Sequence, residues 1–516
     1  MQASRQPAGA GRASQVTRTL DGCFAQEDSN MKVINVLIEN FRAIRKQSFT
    51  VKELSIFIGN NGTGKTSVLE AINFALSPYF ISGRIKHTDF NNGTDSPIII
   101  EVEFDTCFNI EIPDGYATQK IPCNKIHLEI KKRDKSTPGK AFSDGFVVSH
   151  YAIPFGPEKT EKGWVIKRSS GTPFKFSEYH LEATSMKSEE IPRCFYFNKN
   201  REQQLKKGYN SSISSVFDDF NWRFLKGLRK INTEDSSETF IDKKNSLEKE
   251  IIEKVDNSIV NKVFLTLNEK LRNFELSDSK LSFIDGNAPF DSAFLSRTIG
   301  NLDIAIPALG SGIEIIISLL FLETLASLSK ENIIIIIDEP ELHLHPYLQE
   351  KLIQYLKDLS KDKQILLSTH SPYFFKNCSA NDIVELLITT VDNDECLIRA
   401  ASIELKNFPW SPSWGEINYF AYNLPTIEFH DELYGYIQEK NNISHISDLE
   451  LFFESNGIVK CKKWIKEVNG VPKSPEDVTL MTYIRNFIHH PENGSNLAYS
   501  FEDLKTSIDT MIAILK

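Results

Sequence analysis

The sequence predicts an α/β fold built on a parallel sheet, and three short stretches carry that expectation. An apolar segment, Ser55 to Ile58, runs directly into Gly59-Asn60-Asn61-Gly62-Thr63-Gly64-Lys65-Thr66 and then into a helical pattern. A run of five isoleucines, Ile333 to Ile337, ends in Asp338 and Glu339. A third segment, Gln364 to Ser368, leads into Thr369 and His370. An uninterrupted isoleucine strand suits a sheet covered on both faces. Acids and histidine at strand carboxyl ends stand where ligands bind in such folds.

The chain has 516 residues, enough for about three domains or for one large domain with insertions. Apolar residues make up 41% and charged residues 25%, so neither wholesale disorder nor a membrane protein fits. The apolar stretch from Ile315 to Leu322 is bracketed by Glu314 and Glu323 and is too short to span a bilayer. A net charge of −10 excludes a basic nucleic-acid coat, leaving only local contacts such as Lys131-Lys132-Arg133. Seven scattered cysteines without a C-x-x-C pair read as reduced thiols of a cytoplasmic protein.

Residues 1–30 hold Arg5, Arg12 and Arg18 and no acid before Asp21, a bias that transit peptides share. They show no apolar stripe, and Met31 directly precedes the first periodic segment, so they read as a disordered extension outside the fold. After Thr66, Val68, Leu69, Ile72 and Leu76 recur at helical spacing until Pro78. Ile98 to Phe104 and Ile126 to Ile130 read as antiparallel strands separated by a turn at Pro113-Asp114-Gly115. Residues 200–285 read as a helical insertion, with a seam from Leu247 to Phe274 that includes Val263, Leu267 and Leu271. Gly310-Ser311-Gly312 then precedes an apolar helix. In the tail, Ser474-Pro475-Glu476-Asp477 and Ser500-Phe501-Glu502-Asp503 read as helix starts.

The glycine-rich stretch fits G-x-x-x-x-G-K-[ST], in which backbone amides and the helix N-terminus receive phosphate. Gly59, Asn60, Asn61, Gly62, Thr63, Gly64, Lys65, Thr66 and Ser67 are therefore the expected nucleotide-binding set. Lys65 is expected to reach the β and γ phosphates of ATP, and Thr66 to offer its hydroxyl to Mg2+. Asp338 is the second expected metal holder, and Glu339 the group that orients and deprotonates the attacking water. Asp89 and Arg201 are weaker candidates, which read more simply as surface charges.

These motifs together resemble the heads of SMC, Rad50, RecF and OLD-family ATPases, with a Walker A loop at 59–66 and a Walker B strand at 333–339. The resemblance implies an ABC-type P-loop ATPase head. Leu309-Gly310-Ser311-Gly312 resembles its signature loop and His370 its switch histidine. It further implies that ATP is sandwiched in a homodimer or higher even oligomer, with Ser311 and Gly312 reaching the γ phosphate from the opposite head. OLD-family proteins continue into a TOPRIM nuclease, but no suitable glutamate strand is expected before Asp392-Asn393-Asp394.

The tail text, Phe408 to Tyr419, Pro425 to Gly435 and Tyr483 to Asn493, resembles PtuA-type ATPases of Septu and retron anti-phage systems. That resemblance implies an HNH-type nuclease partner (PtuB-like) and, in retron versions, a reverse transcriptase with its msDNA. The aromatic residues at 408–436 suit a partner dock or the core of a small helical module equally. Arg485 and His490 also fit the R-x4-H pattern of HEPN ribonucleases, against the plainer reading of a helix terminus. A DNA-repair ATPase like RecF or Rad50 is the other rival reading. The expected layout is an extension at 1–30, an N-terminal lobe at 31–199, the insertion at 200–285, a C-terminal lobe at 286–405 and a helical partner-binding module at 406–516.

Overall fold

In the computed structural model the described residues are 30–77, 84–114, 117–133, 145–155, 165–166, 174–175, 191–198, 250, 259–276, 278–284, 292–299, 302–305, 311–329, 332–375, 384–468 and 470–516. The strands are β1 (Val33–Phe41), β2 (Ile44–Thr50), β3 (Leu54–Ile58), β4 (Ile98–Asp114), β5 (Ala117–Lys132), β6 (Phe146–Pro154) and β7 (Arg193–Phe197). They continue with β8 (Ser279–Ile284), β9 (Ser292–Ile299), β10 (Leu302–Ala305), β11 (Ile333–Asp338), β12 (Gln364–Thr369), β13 (Val384–Asp392), β14 (Glu395–Ala400), β15 (Lys462–Trp464) and β16 (Glu476–Val478). The helices are α1 (Lys65–Leu76), α2 (Ile259–Asn273), α3 (Ser311–Ser329), α4 (Pro346–Leu359), α5 (Pro372–Phe375) and α6 (Ala401–Glu404). Five more, α7 (Trp414–Tyr422), α8 (Ile427–Lys440), α9 (Ile446–Ser455), α10 (Leu480–His489) and α11 (Phe501–Leu515), follow in the tail.

The central sheet runs β14-β13-β3-β12-β11-β7. All its pairings are parallel except the edge pair β13 with β14. Because side chains alternate along a strand, the isoleucine strand faces two cores. Ile333, Ile335 and Ile337 join the core beneath α2, α3 and α4, while Ile334 and Ile336 join the one beneath α1 and the second sheet. That second sheet, β2-β1-β4-β5-β6, is antiparallel and packs over α1 through Val36, Ile38, Ile100 and Leu128.

Residues 200–285 depart from a wholly helical insertion. Their described end contains strand β8, which pairs with β9 and extends to β10. Val263, Leu267 and Leu271 of α2 pack in the head core, because the helical seam finds its apolar partner in α3. The remainder of the seam, from Leu247 to Val255, lies outside the described residues except for Glu250.

The tail has its own core of α8, α9, α10 and α11 around Phe429, Leu433, Ile484, Ile508 and Met511. Helix α7 differs, since Ile417 and Ala421 lie in the head core. The cap at Ser500 forms as expected, its hydroxyl accepting from Asp503 N in a capping box. The start expected at Ser474 does not. Glu476–Val478 pairs instead with β15, and α10 is capped by Thr479, whose hydroxyl accepts from Thr482 N. Cross-strand pairing overrides a local cap signal there. Cys123, Cys194, Cys396 and Cys461 are free thiols, whereas Cys107 is disulfide-bonded, contrary to the expectation of reduced cysteines throughout.

Candidate nucleotide site

Strand β3 lies between β12 and β13, so its carboxyl end delivers the glycine-rich loop beside the ends of β11 and β12. Gly59, Gly62 and Gly64 adopt φ of 152°, 78° and 93°, conformations in which side chains are strained. A Cβ on Gly59 would stand 2.2 Å from the Thr389 carbonyl oxygen, so the loop is pressed onto β13. The Thr389 hydroxyl donates to Ile58 O at 3.1 Å and shares a 2.7 Å hydrogen bond with Thr63 Oγ1. On β14, Cys396 Sγ donates to Thr63 O at 3.0 Å. Nothing in the sequence marked Thr389 or Cys396, since they contact the loop from more than 300 residues away.

Lys65 is buried, and its ammonium donates to Gly59 O and Asn60 O, both at 2.8 Å. Desolvation lowers its pKa to about 8, although Glu339, Asp338 and Glu341 favour its charge. Thr66 Oγ1 donates to the Asp338 carboxylate at 3.0 Å, and Ser368 Oγ donates to the same carboxylate at 2.5 Å. Asp338 is 1% exposed, so this hydroxyl-carboxylate pair is an oxygen site shielded from water. No group of three or more His, Cys, Asp or Glu able to hold a metal exists among the described residues. A metal here would depend on one carboxylate, one hydroxyl and substrate phosphates, which matches the habit of Mg2+.

Glu339 has φ of 50°, in the left-handed region, and its amide donates to Ser368 O and Ser368 Oγ, each at 3.1 Å. Its carboxylate is 3.8 Å from His370 Nε2. Burial, followed by the nearby Lys65 charge, lowers the His370 pKa, so the imidazole is neutral at pH 7. The His370 amide donates to Glu341 Oε1 at 2.6 Å, and burial pushes the Glu341 carboxyl pKa up. The P-loop, Asp338, Glu339 and His370 are thus brought together, joined by Glu341, which sequence reasoning missed.

Asp89 is not a surface charge: it is 6% exposed and pairs with Arg42 at 2.7 Å. Burial opposes the Arg42 charge, but Glu70 and Asp89 more than offset this and raise its pKa. Arg42 Nη1 also donates to Ser67 Oγ at 3.4 Å, so the β1–β2 turn is tied to the start of α1. A Cβ on Gly312 would stand 2.5 Å from His343 O, which places the start of α3 against the segment after β11. The side chain of Ser311, and all of Leu309, Gly310 and Arg201, lie outside the described residues.

Strand β13 carries one acid, Glu385, ahead of Asp392. Glu385 is buried and pairs with Lys52 at 3.0 Å. That strand belongs to the central sheet, and Asp392-Asn393-Asp394 forms the turn into β14, with φ of 48° at Asn393 and 64° at Asp394. In the tail, Arg485 Nη1 donates to Asn486 Oδ1, whereas His490 leans on Trp464 and Glu492. The R-x4-H pair is not brought into contact.

A glycine-rich strand-to-helix loop, a hydroxyl-carboxylate oxygen pair and an acid beside a histidine define a P-loop ATPase. The AAA ATPase domain family matches residues 31–375, well over half the chain, and this protein belongs to that family. It is 25% identical to the Retron Vc95 probable ATPase of Vibrio cholerae serotype O1 biovar El Tor over 69% of this chain and 73% of that one. It is 24% identical to the OLD nuclease of Thermus scotoductus, covering 70% of this chain but 62% of the relative. A 53-residue stretch is 40% identical to Septu protein PtuA of Bacillus thuringiensis, 10% of this chain and 13% of that one. Among solved structures, the Smc head bound to the C-winged helix domain of ScpA aligns over 71% of this chain and 97% of that one, at TM-score 0.43 and 12% identity. No helix among the described residues is long and apolar enough to cross a membrane.

Proposed function

We propose that this ATPase is the ATP-hydrolysing subunit of a cytoplasmic anti-phage defence complex that controls an HNH-type nuclease of the PtuB kind. Two heads sandwich ATP, with Ser311 and Gly312 of each facing the γ phosphate bound by the other. A retron reverse transcriptase and its msDNA join the complex where the operon encodes them. The observation that carries the catalytic part is the convergence of Thr66, Asp338, Ser368, Glu339 and His370 beside the P-loop. The similarity to retron ATPases and to PtuA supports the defence setting.

Lys65 leaves the Gly59 and Asn60 carbonyls for the β and γ phosphates, and Thr66 with Asp338 would hold Mg2+, which would supply neutralising charge at the phosphate oxygens. Glu339 accepts a proton from the attacking water as the new P–O bond forms and the bond to the departing ADP oxygen breaks. Neutral His370 donates to, or senses, the γ phosphate.

Glu339→Gln is expected to bind ATP yet turn over about a hundredfold more slowly or worse; unchanged steady-state turnover would sink the assignment. Purification from the native operon tests the rest. An HNH subunit retained with the chain supports the proposal, and an ATPase that purifies without a nuclease partner overturns it.

A further inference from the structure

We propose that Tyr422 is a positioning residue that carries the state of the nucleotide site into the C-terminal helices, because it bridges the P-loop and the His370 loop from the end of α7. The proposal rests on reading the site as an ATPase. Its carbonyl accepts from Asn60 Nδ2 at 3.3 Å, on the glycine-rich loop. Its hydroxyl donates to Thr369 O at 3.3 Å, one residue before His370, and the Gly59 amide faces the same hydroxyl oxygen. The ring lies 6.5 Å from the His370 ring and stacks on Phe375 at 5.9 Å. Burial pushes the hydroxyl pKa well up, so it remains a neutral donor throughout the working pH range. One side chain and its carbonyl therefore touch both segments that a γ phosphate must contact.

The other side of Tyr422 is built to transmit displacement. It ends α7, and the next residue, Asn423, turns the chain with φ of 52°. Helix α7 cannot shift without α8, because a Cβ on Gly415 would stand only 2.6 Å from Phe429 Cβ, and Ser413 Oγ donates to Glu432 at 2.6 Å. Helix α8 is in turn locked onto α11 by Phe429, Leu433 and Ile508 and by the 3.0 Å contact between His430 Nε2 and Ser507 Oγ. Close-packed elements of this kind move as bodies rather than deforming. Phe420, Leu424 and Ile427 stand exposed around the joint, so a movement there alters an apolar surface of the module.

Hydrogen exchange on the full chain, with Mg2+ and with or without a non-hydrolysable ATP analogue, tests this. Bound analogue is expected to change exchange across 414–440 in the wild type. Tyr422→Ala is expected to lose that response and to lower kcat on the order of tenfold, with analogue affinity within about threefold of wild type. Tyr422→Phe, which keeps the ring between His370 and Phe375, is expected to recover most of both. Wild type that binds analogue without a response in 414–440 overturns the proposal, and that comparison decides even where Tyr422→Ala does not fold. A folded Tyr422→Ala that responds like wild type overturns it equally. Wild type that binds no analogue overturns the ATPase reading, and the proposal with it.

Discussion

Lys65 shows how far a single side chain is tuned by its surroundings. The ordinary lysine pKa of 10.5 falls to about 8 in the folded chain. Between those values the unfolded chain holds the extra proton, so this group makes folding more favourable as pH rises from about 8 to 10.5. Phosphate binding runs the other way, since it needs the charged ammonium. The apparent Kd for ATP is therefore expected to rise about tenfold between pH 7 and pH 9. Titration with a fluorescent nucleotide checks this, and a flat profile would show that Lys65 stays charged. At this scale the sequence named Lys65, Thr66, Asp338 and Glu339 from strand ends and loop spacing, and His370 through the resemblance to ABC-type heads. It could not name Thr389, Cys396, Glu341 or Tyr422, whose contacts with the site are made by folding rather than by adjacency.

Helix α10 shows what sets an element's boundary. Thr479 accepts from Thr482 N and donates to Glu450 Oε1 at 2.6 Å, and Glu450 is 6% exposed. Thr479→Ala removes a cap and takes a donor from a buried carboxylate, which keeps only the Thr479 amide at 2.9 Å, so thermal or chemical denaturation is expected to show a loss of about 1–3 kcal/mol. Ser500 also caps a helix but pairs with Asp503, which is only half-buried, so Ser500→Ala is expected to cost less, about 0.5–1 kcal/mol. If the two variants lost the same stability, the buried partner would not matter. The proline-and-acid text at Ser474 resembled a better cap than Thr479 does. Its misreading came from strand β16, three residues long, whose pairing with β15 has no periodic signature of its own. The antiparallel pairing of β4 with β5, by contrast, was legible from alternating residues, although Pro113 and Asp114, read as a turn, continue β4 opposite Thr118 and Ala117, because cross-strand pairing again overrides a local turn signal.

For the whole molecule, the informative boundary is the one between head and tail. Composition placed it near residue 405, where aromatic loops begin, but Ile417 and Ala421 of α7 pack with the isoleucine strand's core. A fragment ending at 405 would expose that surface, whereas one ending at 425 would keep it covered. The longer fragment is expected to melt on the order of 5 °C higher. Equal melting temperatures would mean that α7 adds nothing to the head. Burial of this kind is invisible to composition, because a helix that serves two cores reads like any other amphipathic segment.

The alternation along β11 ties the two halves of the head together in a further way. Its odd-numbered isoleucines close one compartment and its even-numbered ones the other, so the strand acts as a party wall that neither compartment can do without. Loosening either side strips support from the same backbone, and partial melting has no stable stopping point. The amides of Ile334 to Ile337 are therefore expected to exchange with solvent only when the entire head opens, at the free energy of global unfolding. Faster exchange there than in β12 would mean that the two compartments unfold separately.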